Sequence, residues 1–139
     1  MILLDTSVVS EPLRSSPDPH VVAWLDAQPL ETLFLSVVTV AELRYGVTLL
    51  PPGRRRNGMI TQMENQILPY FAGRVLNLDL AARHSFAEAM SKAQAQGHKV
   101  GVSDGFIAAT AAANGMVVAT HDTAPFVAMG LDVINPWVA

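Results

Sequence analysis

The sequence predicts an α/β fold in which helices cover both faces of a central parallel sheet. Short apolar runs, such as residues 2–4 and 117–119, alternate with longer segments of helical character. Strands that are buried on both faces appear as such continuous apolar runs. Hydrophobic residues make up 50% of the chain and charged residues only 15%, so a sizeable core is expected rather than disorder. A three-layer α/β/α sandwich follows.

Proline positions and apolar spacing indicate the elements of the first half of the chain. Val21, Trp24 and Leu25 lie on one side of a helix that Pro29 ends, because proline has no backbone N–H to donate. The expected elements are a strand at 2–4, a short helix from Thr6, a helix over about 20–27, a strand at 33–35 and a helix at 38–47.

Glycines mark helix ends in the second half. Gly97 and Gly115 each follow a helical segment, where glycine readily adopts the conformation that closes a helix. The expected elements are a long helix from Arg54 to about Phe71, a strand at 75–78, helices at 80–96 and 103–114, a strand at 117–120, a short helix or turn at 123–129 and a small strand at 131–134. Tyr45, Phe106 and Met116 are assigned to the core.

Composition excludes several classes of protein. The absence of cysteine excludes disulfides, thiolate metal sites and a cysteine nucleophile, and it fits a reducing, cytoplasmic location. No signal peptide or membrane helix is expected, and the length of 139 residues predicts one domain over residues 1–139. The net charge of −3 does not decide nucleic-acid binding. Without the four acids discussed next, eight acidic residues face nine Lys and Arg residues.

Four carboxylates stand at strand ends or at helix starts. Parallel strands end at one edge of the sheet, and ligands bind at that edge in open α/β sheets. Carboxylates gathered there repel one another, so they need protons or a hard cation to coexist. The sequence therefore predicts a Mg²⁺- or Mn²⁺-type site with four acidic residues: Asp5, Glu42, Asp104 and Asp122.

Each of these acids also has an ordinary structural explanation. Asp5 and Asp122 can act as helix N-caps, and Asp104 lies in a first helical turn, where a negative charge is favoured. Thr39 and Glu42 have the spacing of a capping box. For a single acid, capping explains the pattern at least as well as chemistry does. The shared sheet edge favours a functional site.

Asp79 is a useful control, because it also follows a strand and begins a helix; we expect a plain cap there. Candidate substrate contacts are weaker, since hydroxyls cap helices, loop histidines are often idle and a basic run is commonly a solvated helix start. These candidates are Thr6, Thr120, His121, Arg54, Arg55 and Arg56.

Four segments, in order along nearly the whole chain, resemble the PIN-domain family. Their sequences are Met1-Ile-Leu-Leu-Asp-Thr-Ser, Ser36-Val-Val-Thr-Val-Ala-Glu-Leu-Arg-Tyr-Gly, Val102-Ser-Asp-Gly-Phe-Ile-Ala-Ala-Thr-Ala and Val118-Ala-Thr-His-Asp. Together with the terminal Val133-Ile-Asn-Pro-Trp, they are most similar to the branch of VapC and FitB toxins from bacterial type II toxin–antitoxin modules.

The resemblance implies a compact PIN-like α/β/α fold and a Mg²⁺- or Mn²⁺-dependent endoribonuclease that uses the same four acids. It also implies a homodimer and a small, usually DNA-binding antitoxin that blocks the site and, together with the toxin, represses its operon. One motif departs from the family. Where Thr-Arg-Asn is frequent, with an Asp three residues later, this chain has Thr120-His121-Asp122, so the fourth acid is expected at Asp122.

Asp5 and Asp104 are expected to bind the cation directly, and Asp122 to join them or hold a coordinated water. Glu42 is expected to hold a water or complete a second metal site. Hydrolysis by water leaves 5′-phosphate and 3′-hydroxyl ends.

Two alternatives remain open: a metal-dependent DNA nuclease, and a catalytically silent module acting through its partner and DNA. A haloacid-dehalogenase-type phosphotransferase is disfavoured, because Ser7 occupies the position of its second Asp.

Overall fold

The computed structural model describes residues 1–139 and contains one sheet. Its five strands are β1 (Ile2–Leu4), β2 (Leu33–Ser36), β3 (Val75–Leu76), β4 (Val117–Ala119) and β5 (Val133–Ile134). They lie side by side in the order β3-β2-β1-β4-β5, and every neighbouring pair is parallel. The parallel sheet predicted from the sequence is confirmed.

Seven α-helices accompany the strands: α1 (Thr6–Val9), α2 (Pro19–Ala27), α3 (Val37–Thr48), α4 (Arg54–Gln62), α5 (Leu80–Ala95), α6 (Val102–Ala113) and α7 (Thr123–Ala128). Short 3₁₀ segments lie at Glu11–Leu13 and Leu30–Thr32, and a π-helical segment (Met63–Ile67) and a 3₁₀ segment (Leu68–Phe71) continue α4. None of these helices combines the length and apolar character needed to cross a membrane.

Strand β1 shows how one sheet serves two cores. Successive side chains of a strand point to opposite faces. Leu4 belongs to a buried cluster with side chains from α1 to α3, such as Val8 and Leu43. Leu3 belongs to a second cluster with side chains from α5 to α7, such as Ile107 and Phe126. Helices therefore cover both faces, and the three-layer α/β/α sandwich is confirmed.

Three elements and one predicted core residue differ from the sequence prediction. The long helix after Arg54 stays helical, but its hydrogen bonding becomes π and then 3₁₀ near Pro69, which has no N–H to continue the α pattern. The edge strands β3 and β5 are each two residues shorter than predicted, since each has a single neighbour. Tyr45 is 66% exposed rather than in the core, because α3 turns Leu43 and Val47 inward instead.

The strand order creates a topological switch point between β1 and β4. The chain leaves β1 toward β2 and β3 on one side, and returns after α5 and α6 to β4 on the other. The loops that follow β1 and β4 therefore diverge and leave a crevice, the usual ligand site of open α/β sheets. Leu4 pairs with Ala119 across these strands, so Asp5 and Thr120 meet at the crevice.

Close packing of α5 on α6 makes Gly105 sensitive to substitution. A Cβ at Gly105 would lie 2.7 Å from Met90 Sδ and 2.8 Å from Phe86 Cε2, whereas one at Gly58 in α4 would meet nothing within 4 Å. We expect Gly105→Ala to lower the free energy of unfolding by roughly 1–2 kcal/mol and Gly58→Ala to raise it by about 0.5–1 kcal/mol. Urea denaturation measures both, and a Gly105→Ala protein as stable as wild type would contradict the tight packing.

Candidate active site

Asp5 is the acid most firmly held by its surroundings. It is only 8% exposed and follows β1 directly. Its carboxylate accepts hydrogen bonds from the backbone N–H of Thr6 at 2.8 Å and from the hydroxyls of Ser7 at 3.1 Å and Thr120 at 2.8 Å. Asp5 is the N-cap of α1, as predicted, but capping explains only the bond from the Thr6 N–H and not those from Ser7 and Thr120. The Thr120 bond ties the ends of β1 and β4 together across the crevice.

Glu42 is not part of a capping box. Helix α3 begins at Val37, and its N-cap is Ser36, whose hydroxyl accepts from the backbone N–H of Val38. Glu42 Oε1 instead accepts a 2.7 Å hydrogen bond from the Thr6 hydroxyl, in the first residue of α1. The buried Thr39 hydroxyl lies 3.3 Å from that of Thr6. The side chain is thereby directed toward the end of β1.

Asp104 experiences the charges of all the other predicted acids. It lies in the first turn of α6, half-buried, and its N-cap neighbour Gly101 offers no side chain. Burial is the largest cause that raises the pKa of Asp104 to about 6, from an ordinary value of 3.8. Three negative charges raise it further, those of Asp5, Glu42 and Asp122. The four acids are therefore close enough for the charges of the other three to act on Asp104.

Asp122 occupies the N-cap position of α7, but its side chain makes no capping hydrogen bond. The capping explanation is therefore wrong for this residue, which is exposed at the open side of the crevice. Asp79, the control, behaves differently: it caps α5 by accepting from the backbone N–H of Ala82 at 2.9 Å. It is not among the charges that raise the pKa of Asp104.

The donor chemistry of this cluster fits a hard divalent cation. All four acids offer oxygen only, as Mg²⁺ and Mn²⁺ prefer. At their separations in the structure, no three acidic or histidine side chains are close enough together to enclose one ion. Asp122 makes no capping bond, and no hydrogen bond contributes to the pKa of Asp104, so these two carboxylates are free to turn toward a cation.

The predicted substrate contacts fall into three groups. Thr6 and Thr120 hydrogen-bond the acids themselves and so position Glu42 and Asp5. His121 is exposed beside Asp122, with its ring stacked on that of Trp137 at 4.2 Å. The basic run stands apart at the start of α4, without a hydrogen bond or ion pair to the acids: Arg54, Arg55 and Arg56.

Sequence reasoning missed Arg14 and Trp137. Arg14 lines an open groove together with Thr6 and Glu42, so it adds a cationic guanidinium next to the acids. Its partner Glu11, at 3.4 Å, is buried and also accepts from the backbone N–H of Asp18, whereas the Arg14 side chain is largely exposed. No sequence signal indicated this placement, because it depends on how the 3₁₀ segment packs beside α3.

The fold and the acid cluster agree with a family comparison. Residues 2–130 match the family model described as PIN domain. The chain therefore belongs to the PIN-domain family.

Three proteins are similar to this chain over nearly their whole lengths. Identity is 54% over all of both chains with the plasmid stability protein StbB of Pseudomonas syringae pv. tomato. It is 53% with the VapC ribonuclease Y4jK of Sinorhizobium fredii, covering 99% of this chain and 98% of the relative. It is 49% with the toxin FitB of Neisseria gonorrhoeae, covering 99% of each.

Solved structures extend the similarity to the backbone. The crystal structure of FitAcB from Neisseria gonorrhoeae superposes with a TM-score of 0.95 at 48% identity, over 100% of both chains. The structure of FitAB bound to an IR36 DNA fragment superposes with a TM-score of 0.94 at 50% identity, over 99% of this chain and 96% of that one.

The raised pKa of Asp104 predicts a pH-dependent cost to stability. Because the folded protein binds this proton more tightly than the unfolded chain, stability falls as pH rises through about 4 to 6. In EDTA at pH 7.5 we expect the free energy of unfolding of Asp104→Asn to exceed that of wild type by roughly 1–2 kcal/mol. This figure is lower than the full pKa shift would give, because solvent screens a half-buried carboxylate. The gain should vanish near pH 4.

Denaturant unfolding across this pH range measures the effect. Asp79→Asn is the matched control: asparagine also caps helices well, so its stability should stay close to that of wild type at both pH values. An Asp104→Asn protein that is less stable than wild type at pH 7.5 would contradict the electrostatic strain.

Proposed function

We propose that this protein is a divalent-metal-dependent endoribonuclease that acts as the toxin of a type II toxin–antitoxin pair. The observation that carries the proposal is the gathering of four carboxylates at the sheet switch point, where burial and then the charges of Asp5, Glu42 and Asp122 raise the pKa of Asp104. Similarity to a protein named VapC ribonuclease and to one named toxin FitB supports the ribonuclease and the toxin role.

Asp5 and Asp104 would hold the cation, with Asp122 joining them at the exposed side. When bound, the cation polarises a water and the scissile phosphate and offsets the charge that develops on the oxygens. Ser7 and Thr120 keep Asp5 oriented toward the crevice through their hydroxyls. Asp5 is thereby pre-positioned, whereas Asp104 and Asp122 are free to adjust.

Glu42 would orient the attacking water. Its Oε1 is engaged by the Thr6 hydroxyl, and this bond leaves Oε2 available to accept a hydrogen bond from the water. Attack by water rather than by the 2′-hydroxyl breaks the bond between phosphorus and the 3′-oxygen. The products therefore carry a 5′-phosphate and a 3′-hydroxyl.

The first test is cleavage of total bacterial RNA by purified protein with Mg²⁺, with Mn²⁺ and with EDTA. We expect metal-dependent fragments with 5′-phosphate ends, and a loss of at least about 100-fold in rate for Asp5→Asn or Asp104→Asn, because each removes an anionic ligand. Asp79→Asn should cleave like wild type, since Asp79 only caps α5.

Other outcomes favour the alternatives. Metal-dependent cleavage of single-stranded DNA in preference to RNA would replace the ribonuclease by a DNA nuclease. If neither nucleic acid were cut and Mn²⁺ raised the melting temperature of wild type no more than that of Asp5→Asn, the silent binding module would be the better interpretation.

Thr6 provides a finer test of the Glu42 role. Thr6→Val removes the 2.7 Å hydrogen bond to Glu42 at nearly constant volume, whereas Thr6→Ser keeps a hydroxyl. Since such a bond contributes about 1–2 kcal/mol, we expect Thr6→Val to lower kcat roughly 5- to 30-fold and Thr6→Ser to lower it by less than about 3-fold. Equal activity of both variants would mean that Thr6 does not position Glu42.

We also infer an inhibitory partner that lies along the groove beside Glu42. The groove joins the acid Glu42 to apolar side chains of α3 and α4 and to Arg14, so a peptide segment within it would cover the site. The similar FitB chain was solved as FitAB with DNA, which supports a DNA-binding antitoxin and an operon-regulating assembly. Co-expression with a short open reading frame upstream, followed by copurification, tests the pair; light scattering tests the homodimer that we propose.

We infer one domain over residues 1–139, acting in the cytoplasm. A single sheet whose two faces carry two clusters that share β1 and β4 supports the single domain. The proposed RNA substrate supports the location. A single cooperative unfolding transition is the expected result in calorimetry.

A further inference from the structure

The ring of His121 is fixed although it lies at the surface. One face of the imidazole stacks on Trp137, with ring centres 4.2 Å apart and planes inclined by 24°. The backbone N–H of His121 donates to Ser7 Oγ at 3.2 Å, and Asn135 Oδ1 accepts a 3.0 Å bond from the N–H of Trp137. An exposed side chain ordinarily keeps its rotamer freedom. Here the ring stack and the two backbone hydrogen bonds restrict that freedom and hold the aromatic pair in one orientation.

This aromatic pair adjoins the acid cluster. The Ser7 hydroxyl that receives the His121 N–H donates in turn to Asp5 Oδ2 at 3.1 Å. His121 also stands in the chain between Thr120, which hydrogen-bonds Asp5, and the acid Asp122. His121 is exposed and Trp137 covers one face of its ring, so the opposite face is open to a bound molecule.

Affinity that does not depend on charge would help this site to hold a nucleic acid. Four carboxylates repel a polyanion, and the chain carries a net charge of −3. A nucleobase stacked on an aromatic ring gains affinity whatever the charge of the surroundings, and single-stranded nucleic acids are commonly held in this way. His121, backed by Trp137, offers such a ring beside the acids.

We propose that the His121–Trp137 pair is a stacking platform for one nucleobase next to the scissile phosphate. The proposal rests on the ribonuclease function and adds a substrate-binding role that the acids do not provide. Trp137 acts through His121 as a positioning residue, because its ring supports the imidazole from below and its own backbone is held by Asn135.

Binding of model oligonucleotides tests the platform without knowledge of the natural RNA. The probes are fluorescent oligoadenylate of roughly 12 nucleotides, a length within the span of known single-strand sites, and a ribose–phosphate strand of equal length without bases. Both are titrated into protein carrying Asp104→Asn, which prevents cleavage, with His121 intact or replaced. The replacements are His121→Ala, which removes the ring, and His121→Phe, which keeps a ring of similar size.

We expect His121→Ala to weaken oligoadenylate binding about 10-fold or more and to leave binding of the baseless strand unchanged. His121→Phe should bind oligoadenylate within about 3-fold of the protein with His121, since a phenyl ring stacks as well. Melting temperatures of the three proteins report whether a replacement of His121 loosens the packing of the C-terminal segment that carries Trp137. A merely structural role would weaken both probes in parallel, which the baseless strand detects.

Three results would overturn the proposal. They are equal weakening of both probes by His121→Ala, no effect of His121→Ala on either probe, and equal affinity of the protein with His121 for the two probes. None of these depends on whether the wild type cuts RNA, which the cleavage assay decides separately. RNA cleavage with an inert His121 would retain the proposed function and reject the platform.

Discussion

Repulsion among four carboxylates at one crevice is the constraint on which the rest of this structure depends. The acids come from α3, α6 and the loops after β1 and β4, and their charges add to burial in raising the pKa of Asp104. Such a cluster destabilises the folded chain at neutral pH. Two apolar clusters, one on each face of the sheet, must offset it, and they meet at the shared strand β1.

Hydroxyl groups connect the acids to the backbone scaffold. Thr6 and Ser7, at the start of α1, each bond a different carboxylate, and Thr120 bonds Asp5 from across the sheet. Buried polar groups are costly unless they are paired, so these short side chains allow Asp5 to be buried in the crevice and hold Glu42 beside it. Two acids are thus rigid and two are adjustable, a division that suits binding of a cation between them.

Two different surfaces border the acid cluster. The groove beside Glu42 combines apolar side chains with Arg14 and suits a protein segment. The rigid aromatic surface lies by contrast at Asp122, where the chain after β5 returns to place Trp137 under His121. The two surfaces thus lie beside different acids, Glu42 and Asp122.

The sequence by itself determined the α/β class, most elements and the candidate acids, because apolar runs, prolines and glycines act locally. It also separated Asp79, a true cap, from the other acids. It left capping open as an explanation for Glu42 and Asp122, which only the tertiary structure decided: Glu42 bonds Thr6 from another helix, and Asp122 caps nothing.

The strand order, the groove with Arg14 and the stack of His121 on Trp137 were likewise decided by tertiary packing. Each joins residues distant in the chain, such as Thr120 to Asp5, 115 positions apart. Local patterns specify which element forms. The residues that meet at the sheet edge are decided only when the apolar faces pack and the crossover connections set the order of the strands.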